Sequence, residues 1–163
     1  VVYALLAAVL VALFIVERTR GGRMLRQVIE DPLLAEVHGV EPGQIAKTLC
    51  IRVRDEEFLL VTRGDARLDN QKSKSAFGGR PRMLGAEDVL RLTSHPVGGV
   101  CPFGLPSPIP IYLDVSLKIY DLVIPAGGDT HASVRMTVER LAELCGSKWA
   151  DACVPPGETP AAT

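Results

Sequence analysis

The sequence predicts a single α/β or α+β domain built on a mixed sheet. Three observations carry that expectation. Strand-like apolar runs and helical patterns are intermixed along residues 36–154, rather than segregated into blocks. Gly, Pro and Asp punctuate the chain at short intervals between them. The chain has 163 residues, 47% hydrophobic and 23% charged, which fits one ordinary globular unit with a core of its own.

Each element has a local reason. Asp31-Pro32 reads as an N-cap with proline at the first helical position. The short helix that follows buries Leu33, Leu34 and Val37 and stops at Gly39. Pro42 opens the next helical turn. Residues 48–53 form a strand buried on both faces, Asp55-Glu56-Glu57 turns the chain, and residues 58–62 form the hairpin partner. Residues 70–77 are polar and weakly helical. Residues 82–84 make a short strand, and residues 86–92 a helix with Val89, Leu90 and Leu92 on its apolar side. Strands are expected at 109–113, 122–124 and 132–136. Thr137 caps a helix that runs to Leu144 and is closed by Gly146. Residues 148–154 supply a last strand, and the Pro/Ala/Thr-rich residues 155–163 a disordered tail.

The front of the chain is a separate problem. Residues 1–16 contain no charged side chain and are followed by a cluster with Arg18, Arg20, Arg23 and Arg26. The run is shorter than the roughly 20 apolar residues of a full membrane crossing. It lacks the basic leading region of a secretory signal. Two readings stand: an anchor whose basic flank places the rest of the chain in the cytoplasm, and a buried first helix of the domain.

Charge and cysteines limit the function classes. The net charge is −1, so no global basic field supports tight, sequence-independent nucleic-acid binding. A local patch from Lys72, Lys74, Arg80 and Arg82 is the available substitute, with a solvated charged face as its alternative. Cys50, Cys101, Cys145 and Cys153 form no Cys-x-x-Cys pair and no metal-ligand spacing with histidine, so no zinc site is expected; no cofactor is expected either. Nothing suggests a disulfide framework, which fits a reducing cytosol. Cys50 reads as a small core residue. There is no Gly-x-Ser-x-Gly and no His-Glu-x-x-His, so no nucleophile–base pair announces itself.

The most informative stretch is Gly98-Gly99-Val100-Cys101-Pro102-Phe103-Gly104. Glycine admits φ > 0 and lets a ligand approach the main chain. Proline fixes its neighbourhood. The loop therefore presents backbone groups rigidly, unless it is only a tight turn between strands. It belongs to an ordered set: Ile45-Ala46-Lys47-Thr48-Leu49, then this loop, then Ile111-Tyr112-Leu113-Asp114-Val115-Ser116-Leu117, then Ala126-Gly127-Gly128-Asp129-Thr130-His131. Together these resemble the YbaK-type aminoacyl-tRNA deacylases, relatives of the editing domain associated with prolyl-tRNA synthetase. The resemblance covers about residues 36–153. It implies a mixed, partly barrel-like sheet flanked by helices, and a trans-editing hydrolase that clears a mischarged amino acid from the tRNA 3′ end. Its implied partners are the aminoacyl-tRNA acceptor end and an aminoacyl-tRNA synthetase.

Site roles follow from that resemblance. Lys47 would be catalytic, as a point charge on a terminal phosphate or ribose; its alternative is a surface lysine at a strand edge. Gly98 and Gly99 would be catalytic through backbone groups at the scissile ester. Val100, Cys101 and Pro102 complete the substrate loop, and Thr48 is a pocket hydroxyl or a plain β-branched strand residue. Cys101 stands where serine is common; with no basic neighbour in sequence, a nucleophilic thiol is disfavoured. Gly127, Gly128 and His131 would line the substrate side, His131 as a gate or as an exposed loop residue. Asp114 would order the pocket by hydrogen bonds. His38 and His95 read as surface residues, and Asp65 and Asp69 as turn formers.

Two features cut across this picture. Residues 13–40 also resemble the cytoplasmic loop after a membrane helix in branched-chain amino-acid ABC permeases. The deacylases' usual N-terminal pocket wall is not visible. The expected organisation is thus an apolar helix and basic loop at 1–35, with membrane contact through residues 1–16, then the editing-type domain at 36–154. The alternative function is a non-catalytic or membrane-anchored fusion product.

Overall fold

A computed structural model describes residues 35–36 and 38–157. The expected apolar helix and its membrane contact, the basic loop, the burial of Leu33, Leu34 and Val37, and the tail from residue 158 lie outside the described residues. Among the described residues no helix is long and apolar enough to cross a membrane.

A 3₁₀ turn at Pro42–Gln44 leads into β1 (Ile45–Val53). β1 pairs antiparallel with β2 (Glu56–Arg63), with Ile51 opposite Phe58. The reversal falls at Arg54-Asp55, with Arg54 at φ 54°, so Glu56 and Glu57 belong to the strand rather than the turn. After β3 (Arg67–Leu68) comes α1 (Asn70–Phe77), then β4 (Arg82–Met83) and α2 (Ala86–Thr93). A long loop reaches β5 (Ile111–Asp114), a 3₁₀ turn at Val115–Ile119, and β6 (Leu122–Pro125). β7 (Met136–Thr137) precedes α3 (Val138–Cys145). β8 (Lys148–Ala150) and β9 (Cys153–Val154) close the chain.

The main sheet runs β7-β6-β1-β2-β5-β8, with β4 also on β1. It is mixed: β6 and β1, β2 and β5, and β5 and β8 are parallel, and the other pairs are antiparallel. It curls into a half-barrel flanked by three helices, the α/β architecture expected. Residues 148–154 do not form one strand. β8 joins the main sheet, and β9 pairs with β3 in a second one. Of the strand expected at 132–136, only the Ser133–Ala126 bridge and Met136 are β-structured.

Alternation along β1 and β2 divides the core between the two sheet faces. Leu49, Ile51, Val53, Phe58 and Leu60 face one side, with Ala152 and Cys153. Ala46, Val61 and Leu113 face the other, with Leu117, Val123, Val138 and Leu141. Cys50, Leu59, Val89 and Val100 extend that second face. This two-sided burial is why residues 48–53 do not read as an alternating strand.

The weak helix α1 forms for two reasons. Asp69 Oδ1 accepts the Gln71 and Lys72 amides at 2.9 and 2.8 Å, a true N-cap. Its last residue, Phe77, packs on Phe58 and Tyr112 at ring-centroid distances of 4.6 and 5.1 Å. In α3, Thr137 Oγ1 accepts the Arg140 amide at 3.2 Å and Gly146 closes the helix at φ 54°, as the sequence predicts. In α2, Val89 is buried but Leu90 is exposed; the other buried position is Thr93.

Candidate active site

The loop at residues 98–104 is tied down at its start. Thr93, fully buried at the end of α2, donates its hydroxyl to Val89 O at 2.8 Å and accepts the His95 amide at 3.1 Å. Pro96 O accepts the Gly99 amide at 2.9 Å. Val100 then plugs into the core beside Cys50, Leu59 and Val89.

The two glycine segments interlock where side chains are missing. A Cβ on Gly99 would lie 2.5 Å from the Asp129 carbonyl carbon and 2.7 Å from its Cα. A Cβ on Gly128, itself at φ 95°, would lie 3.2 Å from His95 Nε2. Residues 98–101 and 127–129 therefore form one unit, as do the corresponding sequence motifs. Its backbone donors are unequally engaged. The Gly99 amide is spent on Pro96, and the Cys101 amide reaches His95 Nδ1 at 3.5 Å. Among the described residues, the Gly98 and Val100 amides have no partner, although Val100 is only 8% exposed. A polar group in such surroundings is costly unless something arrives to satisfy it.

Thr48 alternates with Ala46 and Cys50, so it faces the side on which Val100 packs. Its hydroxyl oxygen is buried and has no hydrogen-bond partner. Cys101 is 2% exposed, and its thiol donates to Phe103 O at 3.5 Å. Burial pushes that thiol above its ordinary range, with the Phe103 bond pulling weakly the other way. His95 Nδ1 stands 3.8 Å from the sulfur, yet this is a protonated thiol and not an activated one. Pro102 is buried behind it.

His95 is the residue that sequence reading missed. It is half-buried and wedged between the two glycine segments, not a surface side chain. Its position six residues before Cys101, at the mouth of a Gly/Pro loop, was the available signal. His38 shares its Nε2 with the Ser133 hydroxyl at 3.1 Å.

Lys47 and Asp114 sit elsewhere. As the neighbour of Thr48, Lys47 points to the opposite sheet face. Its ammonium donates to Gly64 O at 3.0 Å and Ala66 O at 2.6 Å, so it braces the turn after β2. Asp114 is fully buried. One carboxylate oxygen accepts the Ala152 and Cys153 amides at 2.9 and 3.0 Å, and the other accepts the Ser116 amide at 3.0 Å. It orders the fold through hydrogen bonds where β8 gives way to β9. In the turn between β2 and β3, Asp65 accepts two bonds from Arg63 at 2.8 and 2.7 Å.

His131 lies at the tip of the other loop with its side chain 93% exposed. Its amide donates to Asp129 Oδ1 at 2.9 Å, and that bond is the main cause holding the Asp129 carboxyl below its usual range. Gly127 is exposed at the base of the same loop.

The expected basic patch divides. Lys72 pairs with Asp151 at 2.9 Å beside a hollow bordered by Tyr112 and Trp149. Arg80 and Arg82 instead join Arg52 and Arg54 around a cleft of about 550 Å³. Arg52 is held by Glu57 and Arg54 donates to Gly78 O, so Arg80 and Arg82 are the arginines there without a partner among the described residues. Leu84, in the same cleft wall, packs against the Val100 cluster.

Comparison with known proteins identifies the family. The chain is 46% identical over 121 residues to uncharacterized protein YwhH of Bacillus subtilis (strain 168), covering 73% of this chain and 77% of that one. It is 32% identical over 106 residues to proline–tRNA ligase of Citrifermentans bemidjiense, covering 63% of this chain but only 18% of the ligase. Among solved structures it superposes on a candidate trans-editing enzyme for prolyl tRNA synthetase with a TM-score of 0.69 at 38% identity, covering 73% of this chain and 76% of the other. The sequence model of the aminoacyl-tRNA editing domain matches residues 32–144. The chain belongs to the aminoacyl-tRNA editing domain family.

Proposed function

We propose that this protein is a trans-editing hydrolase that deacylates mischarged aminoacyl-tRNA by cleaving the ester at the tRNA 3′ end. The observation that carries the reading at the level of the site is the glycine loop with its unspent Gly98 and Val100 amides. They suit the developing charge on an ester carbonyl oxygen. One preorganised donor of this kind is typically worth about 10²–10³ in rate. The Thr48 hydroxyl, orphaned on the same sheet face, is a second polar contact for the substrate. Gly99 works by its absence of a side chain, which lets the two loops close.

Water is the nucleophile in this reading. The Cys101 thiol is protonated and hydrogen-bonded to Phe103, so no thioester is called for. An aminoacyl ester is already labile, and positioning plus carbonyl polarisation suffices. Lys47 contributes by fixing the turn at Gly64 and Ala66, or by leaving those carbonyls for a phosphate or ribose. His131, exposed at the loop tip, gates which aminoacyl group enters. Arg80 and Arg82 take phosphates of the acceptor end. A synthetase that produces the mischarged tRNA is the second partner. A reducing cytoplasm fits four cysteines that are all unpaired.

The test is a panel of mischarged tRNAs incubated with the purified full chain, with release of free amino acid measured. Hydrolysis of one or more members above the spontaneous rate is expected. Parity with the spontaneous rate across the panel would leave the non-catalytic reading in its place.

A further inference from the structure

We infer that His95 is a positioning residue for this hydrolase: its imidazole joins the two glycine loops and sets the direction of the Val100 amide. The inference rests on the reading above. The evidence is a chain of contacts that the proposed chemistry does not otherwise use. The His95 backbone is pinned by the buried Thr93 hydroxyl, and Ser94 before it is held at φ 61°. The ring therefore leaves a fixed base. Nδ1 accepts the Cys101 amide at 3.5 Å. The other edge of the ring abuts Gly128, where any side chain would crowd Nε2 and Cδ2 at 3.2 and 3.3 Å.

The consequence falls on the residue between two anchors. Gly99 is bonded to Pro96 and pressed on the Asp129 backbone, and Cys101 is bonded to His95. Val100 lies between them, so its unspent amide points where these two ties aim it. Accepting at Nδ1 places the ring proton on Nε2 in the neutral imidazole. The acceptor at Nδ1 is thus the working atom, and it can be replaced separately from Nε2. An asparagine places its amide near the Nδ1 position; a glutamine reaches toward Nε2.

The experiment compares the full chain with His95→Asn, His95→Gln and His95→Leu. Two readouts are taken: kcat and KM for deacylation of the best tRNA on the panel, and hydrogen exchange of the Cys101 and Val100 amides by NMR. His95→Asn is expected to keep kcat near wild type and to protect the Cys101 amide. His95→Leu and His95→Gln are expected to lose on the order of 10²-fold in kcat, the scale of a small misplacement, with KM little changed and faster Cys101 exchange. Exchange is scored against amides of β1 and β2, so a variant that loosens globally is told from one that frees the loop. Equal activity in His95→Asn and His95→Leu, or Cys101 exchange unchanged in all variants, would overturn the inference. If wild type hydrolyses nothing on the panel, the functional reading fails and the exchange arm still decides whether His95 holds the loop.

Discussion

Removing the Asp114 carboxylate is expected to be the most damaging single change in the described fold. The side chain is fully buried and accepts three backbone amides, from Ser116, Ala152 and Cys153, at 2.9–3.0 Å. Hydrogen bonds to a charged group contribute about 1.5–3 kcal/mol each, and an orphaned buried donor costs about 1–3 kcal/mol. Asp114→Ala strands three such donors at once. Local relaxation and water entry recover part of this, leaving an expected loss of about 4–6 kcal/mol against a typical total of 5–15 kcal/mol. Asp114→Asn keeps one oxygen for the Ala152 and Cys153 pair but turns an NH₂ toward Ser116, for about 2–3 kcal/mol. Urea unfolding followed by far-UV circular dichroism and Trp149 fluorescence reads both values. Activity per folded molecule should stay within about tenfold in Asp114→Asn, well short of the 10²–10⁴-fold of a missing acid or base. A loss below about 1 kcal/mol in Asp114→Ala, within the ordinary range for a point mutation, would refute the argument. So would equal losses in the two variants.

Three further outcomes are expected. Lys47→Met should lower deacylation by about 10²-fold, the scale of a displaced substrate-positioning loop, while the chain still unfolds cooperatively; wild-type turnover would leave Lys47 as no more than a brace of the turn after β2. Cys101→Ser should retain activity, because the thiol donates to Phe103 O and is protonated; a trapped acyl-enzyme on Cys101 in the wild type would reverse that conclusion. Alkaline pH should destabilise the fold. Burial, with Asp114 second, pushes the Cys153 thiol up to about 12 from 9.0, and burial, with Glu57 second, raises Cys50 likewise to about 12. Both groups are held protonated in the native state, so their contribution is complete below pH 9 and is lost as pH climbs toward 12. Urea midpoints at pH 8.5 and 10.5 should fall in the wild type and fall less in Cys153→Ala; identical slopes would show that Cys153 carries no linkage.

The elements easiest to read in the sequence were those whose signals are local. Thr137 and Gly146 bracket α3 because a hydroxyl cap and a left-handed glycine are decided within one turn of chain. The β1–β2 hairpin was legible from two apolar runs and a charged reversal. The break at Asp151-Ala152 was not. It depends on Asp114, 38 residues earlier, drawing two amides out of the strand. Leu90, expected on the apolar side, is exposed, because α2 turns Val89 to the core and extends one residue further to Thr93, which anchors the glycine loop. At the site, the glycine motifs were readable because their spacing reflects backbone needs. For Lys47 and Thr48 the sequence offers a charge contact and a pocket hydroxyl, each with a plain structural alternative; as adjacent strand residues they face opposite ways, so one pocket face does not hold both. His95 escaped because one ordinary histidine in a polar loop looks exposed until the second glycine segment is folded against it.

The Lys47 brace also sets where this domain is mechanically vulnerable. Its acceptors, Gly64 O and Ala66 O, lie just ahead of β3, and the ladder partner of β3 is β9 in a two-stranded sheet. Tension applied beyond Val154 would load the Arg67–Val154 and Leu68–Cys153 pairs first, and peeling them would loosen the strand beside the Lys47 acceptors. Any partner or domain joined on that side therefore has a direct line to the floor of the sheet beneath the glycine loops. A trimmed version ending before Cys153 would keep every motif residue and lose the tether that keeps that floor in place.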